Sequence, residues 1–288
     1  DLTNSCGGAS REVREQDGVG MAKISGEAKK RYFDRVKTYK QETETIVVRE
    51  KNLLGTIRGD GPSAQYKRLK LVDERLNLAS YFLLLNRLSV GLLGVKNEAF
   101  LNDGRKSCYQ AVIYLEEVVS NRLDAPFSDY SEYLEKIEDL DDEKRYRMVA
   151  KLGFTIQSVE EDFGENSKWK WSFVELEGRY AIVTKNLLNL KTLVAGLDPR
   201  VQGYQARLNH LNLAKELLQR SADRYREKYE LSTLRMDDFK LAIAFLAALR
   251  RIHIVVGETQ NAETVKKKMD VWKTKMETDE RNARAAKA

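Results

Sequence analysis

Proline is almost absent from this chain, and this constrains the fold more than any other feature. The 288 residues contain three prolines, at positions 62, 126 and 199, where an average protein of this length has about fourteen. Between them, apolar residues recur every three or four positions, the period of one face of an α-helix. Proline breaks helices, and all three prolines fall where this period is interrupted. The sequence therefore predicts long α-helices.

The composition supports a folded, helical protein. Apolar residues make up 42% of the chain, enough for a packed core. No segment has the alternating pattern of a half-buried strand, and a sandwich or barrel would need more Gly/Pro turns. We expect an all-α fold, an elongated multi-helix bundle with a stalk and a globular lobe. The core is predicted to include Leu76, Leu83, Leu85, Phe173, Leu187 and Leu190.

The periodic segments divide the chain into an arm and a helical region. Residues 1–24 are glycine-rich without apolar periodicity and are predicted to form a flexible arm. Residues 25–288 form the helical region, with a lobe over 60–165 and stalk helices over 25–55 and 168–288. The predicted helices cover 25–54, 63–93, 105–122, 129–140, 141–163, 173–194, 200–231, 236–256 and 258–286.

Residues for common enzyme and metal chemistry are scarce. The chain has two histidines, His210 and His253, and two cysteines, Cys6 and Cys108, which is too few for a spaced zinc or iron–sulfur framework. No nucleotide-binding, zinc-protease, esterase or calcium-loop motif is present. His253 is expected to be a core or capping residue. We therefore predict no catalytic residues, no cofactor and no metal, and leave open whether the cysteines pair.

Charge is segregated along the chain. The net charge is +6, but residues 29–70 carry a net +7, residues 116–143 a net −9 and residues 263–288 a net +3. The total excess is mild, and we expect no nucleic-acid partner. The segments are either solvated helix faces or surfaces through which the basic ends of one molecule meet the acidic middle of another. The acidic run over 138–143 is expected to begin a helix.

Eight residues are candidates for protein interaction. Trp169 and Trp171 alternate with Lys168 and Lys170. The two tryptophans are either half-buried side chains packed between helices or exposed side chains that bind a partner. The other candidates lie on helices whose apolar face is narrow. Tyrosine and tryptophan rings carry a polar group, so on such helices they suit a surface that becomes buried when molecules assemble. The basic run is either a solvated face or a basic amphipathic helix. These other candidates are Tyr225, Tyr229, Lys266, Lys267, Lys268 and Trp272.

No transmembrane segment is predicted. The most apolar stretch, 78–95, is interrupted by Asn86 and Arg87, which cross a hydrocarbon core only at a high free-energy cost. The chain starts at Asp1 rather than at Met, which fits either removal of an export signal or an arbitrary start point.

Three segments resemble the flagellar-coiling sheath proteins of the spirochaete periplasmic filament. They are RYAIVTKNLLNL at 179–190, LNHLNLAKELL at 208–218 and ETQNAETVKKKM at 258–269, and the overall likeness extends over 25–288. The resemblance implies a non-enzymatic, bent, all-helical protein in the periplasm. It also implies partners, namely the flagellar core, other sheath proteins and further copies of this chain, on which it would impose the curvature needed for motility.

Two other functions remain open on the sequence. The first is a cytosolic adaptor or a membrane-surface module that uses the basic helices. The second is a helical enzyme with an unrecognised site.

Overall fold

In a computed structural model, the protein is built from α-helices. The structure describes residues 24–164 and 167–285; 83% of them are helical, and none of them lies in a strand. This confirms the all-α prediction. The predicted arm, apart from residue 24, lies outside the described residues. The helices are α1 (Gly26–Gly55), α2 (Pro62–Leu93), α3 (Glu98–Val119), α4 (Ser131–Glu135), α5 (Asp142–Phe163), α6 (Lys170–Asn186), α7 (Leu190–Leu193), α8 (Tyr204–Lys228), α9 (Met236–Val255) and α10 (Thr259–Ala285).

Local signals set several helix ends where the sequence predicted them. The hydroxyl of Ser25 accepts a hydrogen bond from the amide of Ala28, and the carboxylate of Asp141 accepts one from the amide of Lys144. Each bond satisfies an amide that has no partner within its helix. Gly94 ends α2 in the left-handed conformation, with φ of 65°, which costs glycine little.

The third helix begins at Glu98, seven residues before the predicted start. Asn97 caps it by accepting a hydrogen bond from the amide of Phe100 at 3.2 Å. Gly104 lies inside this helix, where a Cβ atom would stand 3.6 Å from a methyl group of Val159 on α5. The helix continues through this glycine in spite of its low helix propensity.

The predicted helix over 173–194 is interrupted. It ends at Asn186, whose side-chain amide donates to the carbonyls of Ser120 and Arg122 at 2.8 and 3.2 Å. The buried guanidinium of Arg145 donates to the carbonyl of Leu187 at 3.1 Å. These side chains compete with continuation of the helix. The short α7 follows, capped by Asn189.

One hydrophobic core joins α2, α3, α5, α6, α8 and α9. The six core residues named from the sequence are all buried, with Leu187 at 0% exposure. Residues from both predicted parts share this core: Phe173 and Leu187, from the predicted stalk over 168–288, cluster with Leu76 and Leu83, from the predicted lobe over 60–165. The first helix packs chiefly against α2 and adds a small second cluster around Tyr32, Val36 and Leu85.

Among the described helices, α2 alone combines the length and the apolar stretch of a membrane-spanning helix. By length and composition alone it could cross a bilayer. In the structure it packs against α1, α3 and α5, and its buried Glu74 forms an ion pair with Arg49 at 2.9 Å. The absence of a transmembrane segment stays a prediction.

Candidate protein-interaction surface

Three of the aromatic candidates lie in the core. Tyr225, Tyr229 and Trp272 are between 3% and 6% exposed. Tyr225 stacks on Phe245 and Tyr229 stacks on Phe239, with ring centroids 5.5 and 4.8 Å apart. The expectation that these rings become buried on assembly is wrong, because the apolar face of α9 already covers them within the chain.

Tyr229 lies at the end of α8, four residues after Tyr225, and belongs to the same core. The chain leaves α8 through a π-helical turn over Tyr229–Thr233 and reverses at Leu234, which has φ of 50°. The hydroxyl of Tyr229 donates to the carboxylate of Asp279 on α10 at 2.9 Å. Burial and this carboxylate raise the pKa of Tyr229 to about 12. The ring therefore fastens α8 to α10.

The three consecutive lysines have different environments. Lys268 forms an ion pair with Asp223 at 2.7 Å, and its amine lies 4.9 Å from the ring centre of Trp272. Lys266 and Lys267 are exposed, and neither forms an ion pair with another described residue. Only these two can offer an unpaired charge to a partner.

Trp169 lies immediately before α6 and Trp171 is the second residue of α6; both are half-buried. Each packs one side against the main core. The guanidinium of Arg105 on α3 lies 4.1 Å from the ring centre of Trp169, and the amine of Lys170 lies 4.8 Å from that of Trp171. Both tryptophans thus join helices and also keep part of their rings at the surface.

Hydrogen bonds hold Arg105 in place. Its guanidinium donates to the hydroxyl of Ser172 at 2.7 Å and to the side-chain carbonyl of Asn102 at 2.9 Å. The hydroxyl of Tyr109 donates to the backbone carbonyl of Ser172 at 2.6 Å. The guanidinium has no carboxylate partner among the described residues, and its Nε is buried without an acceptor. No local sequence pattern indicates this pairing, because Arg105 on α3 and Trp169 just before α6 lie far apart in the chain.

A cleft of about 480 Å³ opens beside Trp169. Trp169 and Phe163 supply aromatic walls, while Lys168 and Glu98 form an ion pair at 3.0 Å on its edge. We call Trp169, Trp171, Arg105 and this cleft the tryptophan corner. An aromatic surface with charged groups at its rim suits a protein partner.

Part of the predicted contact between basic and acidic segments occurs inside one molecule. Arg68 pairs with Glu117 at 2.7 Å, so the basic segment 29–70 already neutralises some of the acidic segment 116–143. Arg251 pairs with Asp124 at 2.7 Å. The acidic residues of this segment that remain exposed without an ion pair in the described chain are Glu132, Glu135, Glu138 and Asp139.

The two histidines are partnered within the chain. His210 is buried, and its Nε2 lies 2.9 Å from the carbonyl oxygen of Thr184. The Nδ1 of His253 lies 2.5 Å from the carboxylate of Glu258, so the capping role expected for this residue fits its position beside the start of α10. Over the described ranges, no group of three or more His, Cys, Asp or Glu side chains is arranged to hold a metal.

Two further buried groups have shifted pKa values. Lys185 is 3% exposed, and its amine lies 4.6 Å from the ring centre of Tyr130; burial lowers the pKa of this amine to about 8. Cys108 is fully buried, and burial raises the pKa of its thiol to about 12. Cys6, the other cysteine, lies outside the described residues.

Comparison with known proteins assigns the chain to a family. No curated protein and no solved structure matches it. The model of the TP0443 family matches residues 28–280, a range that begins within α1 and ends within α10. The chain belongs to the TP0443 family, a treponemal protein family.

Proposed function

We propose that this chain is a non-enzymatic structural protein that assembles on the periplasmic flagellar filament as a sheath component and supports its curvature. The observation that carries the proposal is the tryptophan corner, where Trp169 and Trp171 remain partly exposed beside Arg105. Tryptophan and arginine dominate the residues that contribute most to protein–protein binding. Membership of a treponemal family is consistent with a spirochaete protein.

The tryptophan corner is held in its conformation before any partner arrives. Arg105 stacks on Trp169 and is fixed by Ser172 and Asn102. Side chains that are already ordered lose little conformational entropy on binding. A partner that covered the exposed part of these rings would therefore gain most of the free energy of their burial.

Lys266 and Lys267 supply a second, weaker contact. Exposed charges of this kind contribute about 0–1 kcal/mol each and are screened by salt. A sheath presents many copies side by side, so weak contacts add up through multivalency. We expect the tryptophan corner to provide the main affinity and these lysines to add a salt-dependent contribution.

Co-sedimentation with filaments tests the proposal. Filaments isolated from a spirochaete that lacks this protein are mixed with the purified chain and pelleted. Trp169→Ala with Trp171→Ala should reduce the bound fraction at least tenfold, which is about 1.4 kcal/mol of binding free energy. The matched control is Phe154→Ala, because Phe154 is 73% exposed on α5 and lies outside the tryptophan corner.

The charge contribution needs a separate variant. Lys266→Glu with Lys267→Glu should weaken sedimentation at low salt and have less effect at high salt. Lys268 is left unchanged because its ion pair with Asp223 stabilises the fold. If the wild-type chain stays in the supernatant at every salt concentration, or if the tryptophan variant binds as well as the control, the sheath proposal is wrong.

A further inference from the structure

One side of α1 combines lysines with exposed apolar residues. At 3.6 residues per turn, five lysines and four apolar residues fall within about 120° of the helix circumference. The only acidic residue within the same sector is Glu44. We call this surface the lysine stripe; its members are Lys29, Lys30, Phe33, Lys37, Lys40, Val47, Val48, Lys51 and Leu54.

Every member of the lysine stripe is exposed. Phe33 is 65% exposed and Val48 is 57% exposed, although both are apolar. None of the five lysines forms an ion pair with another residue in the part of the chain that the structure describes. By contrast, Arg31 and Arg49 on other sides of the helix pair with Glu27 and Glu74. Two members have contacts within the described chain: the amine of Lys40 lies 5.9 Å from the ring centre of Phe100 on α3, and the ring of Phe33 packs edge-on against Tyr32. No described carboxylate neutralises the five lysines, and the four apolar side chains remain exposed.

The position of α1 leaves the stripe accessible along its length. Tyr32, Val36 and Ile46 face α2 on the buried side of the helix, and the stripe lies roughly 100° around the helix from them. From residue 29 to residue 54 it extends over roughly 38 Å. The third helix also reaches α1, through Tyr114 at Glu50 and Phe100 at Lys40. These contacts leave every stripe residue exposed, so a flat surface can contact the stripe along its length.

We propose that the lysine stripe binds the surface of an anionic lipid bilayer. Lysine amines are attracted to anionic headgroups, and exposed apolar side chains between them can enter the region where headgroups meet acyl chains. This proposal does not rest on the sheath function.

The composition of the stripe favours a bilayer over two other acidic partners. Lysine is depleted at protein–protein interfaces relative to the rest of the surface, and here lysines make up five of the nine members. Nucleic acid would attract the lysines through its phosphates. Phe33, Val47 and Val48 would gain little from a sugar–phosphate backbone, but they gain free energy when they enter a bilayer.

Flotation with vesicles tests the proposal on the full chain. Vesicles of phosphatidylcholine with about a third phosphatidylglycerol should carry the protein upward, whereas pure phosphatidylcholine vesicles should leave it at the bottom. Raising the salt concentration should release it. Lys29→Gln, Lys30→Gln and Lys37→Gln together should weaken binding about a hundredfold, because each lysine contributes about fivefold near an anionic surface.

Matched variants separate the stripe from net charge. Lys266→Gln, Lys267→Gln and Lys273→Gln remove the same charge from the exposed side of α10 and should leave binding within about threefold of wild type. Phe33→Ser should weaken binding about tenfold, while Phe154→Ser should not. All of these residues are exposed, and unchanged circular dichroism and melting temperature would show that each variant is folded.

The possible results separate clearly. The proposal is supported if the lysine-stripe variants lose vesicle binding while the α10 and Phe154 control variants keep it. If the triple variant of the lysine stripe and the triple variant of α10 lost vesicle binding equally, only net charge would matter, and the proposal would be overturned. The proposal would also be overturned if the wild-type chain did not float with anionic vesicles. It would likewise be overturned if the lysine-stripe variants lost binding to duplex DNA or isolated filaments but kept binding to vesicles.

Discussion

The hydroxyl of Tyr180 on α6 donates a hydrogen bond to the backbone carbonyl of Val149 on α5 at 2.8 Å. The tyrosine ring reaches this carbonyl across Gly153, and a Cβ atom at position 153 would overlap the end of the ring. The contact between α5 and α6 therefore requires a residue without a side chain at this position.

This contact predicts that Gly153→Ala is destabilising. Overpacking of this kind costs about 1–3 kcal/mol of unfolding free energy, which exceeds the gain in helix propensity of about 1 kcal/mol. The control is Gly91→Ala on α2, where no atom lies within 4 Å of the added Cβ; it should be neutral or stabilising. Urea unfolding measures the unfolding free energy of both variants. Equal changes in this free energy for Gly153→Ala and Gly91→Ala would contradict the prediction.

The core assignment predicts large losses on truncation. Leu83 and Leu187 are 7% and 0% exposed in the same cluster. Leu→Ala at either position should lower the unfolding free energy by about 2–5 kcal/mol. Leu231→Ala is the control, because this side chain is 71% exposed. Losses below about 1 kcal/mol at both core positions would mean that the packed faces are misplaced.

His210 predicts a loss of stability in acid. Burial lowers the pKa of its imidazole from the ordinary value of about 6.5 to about 4. Between these pH values the unfolded chain therefore binds a proton that the folded chain does not. Stability should therefore decrease over this range by about 3 kcal/mol. His210→Gln should remove this dependence, as followed by urea unfolding at several pH values.

Glu258 predicts a loss of stability at a lower pH than His210. Partial burial alone would raise the pKa of its carboxylate, but hydrogen bonds from Lys215, Asn261 and His253 lower it to about 2. Its stabilising contribution is therefore lost only as the pH falls from about 4.5 towards 2. Glu258→Gln should alter this more acidic range and leave the slope due to His210 in place. Coincident ranges for both variants would refute the assignment.

Lys185 predicts a dependence at alkaline pH. Burial lowers the pKa of its amine from the ordinary value of about 10.5 to about 8 in the folded chain. The unfolded chain therefore binds more protons between these pH values, and stability should rise with pH over this range. Lys185→Met should stabilise the protein at pH 7 by up to about 3 kcal/mol, and the gain should shrink toward pH 10. Lys191→Met, at an exposed position, should have neither effect. A constant gain across this range would exclude ionisation as its cause.

Periodicity and capping predicted most helices because both depend on neighbours in sequence. Ser25, Asp141 and Gly94 act within one turn of the helix ends that they define. The end of α6 depends instead on Asn186, which bonds to carbonyls more than sixty residues earlier in the chain. No local pattern contains that information.

The candidate interaction residues also depend on contacts between helices that are distant in sequence. A thin seam with tyrosines on α8 looks like a surface for a partner until α9 is placed beside it, and Tyr225 and Tyr229 then become core residues. Trp169 and Trp171 could be identified from composition as candidates. The contact between Trp169 and Arg105 could not be, because it requires α3 and α6 to be neighbours.

The attachment of α1 chiefly to α2 also bears on how the protein opens. The main core does not include the buried side chains of α1, and the cluster around Tyr32, Val36 and Leu85 is small. A segment held by so few buried groups can detach at a free energy below that of global unfolding. Amide hydrogens at the amino-terminal end of α1 should therefore exchange with solvent faster than those of α3 or α9, as one cooperative unit that leaves and returns while the rest of the protein stays native.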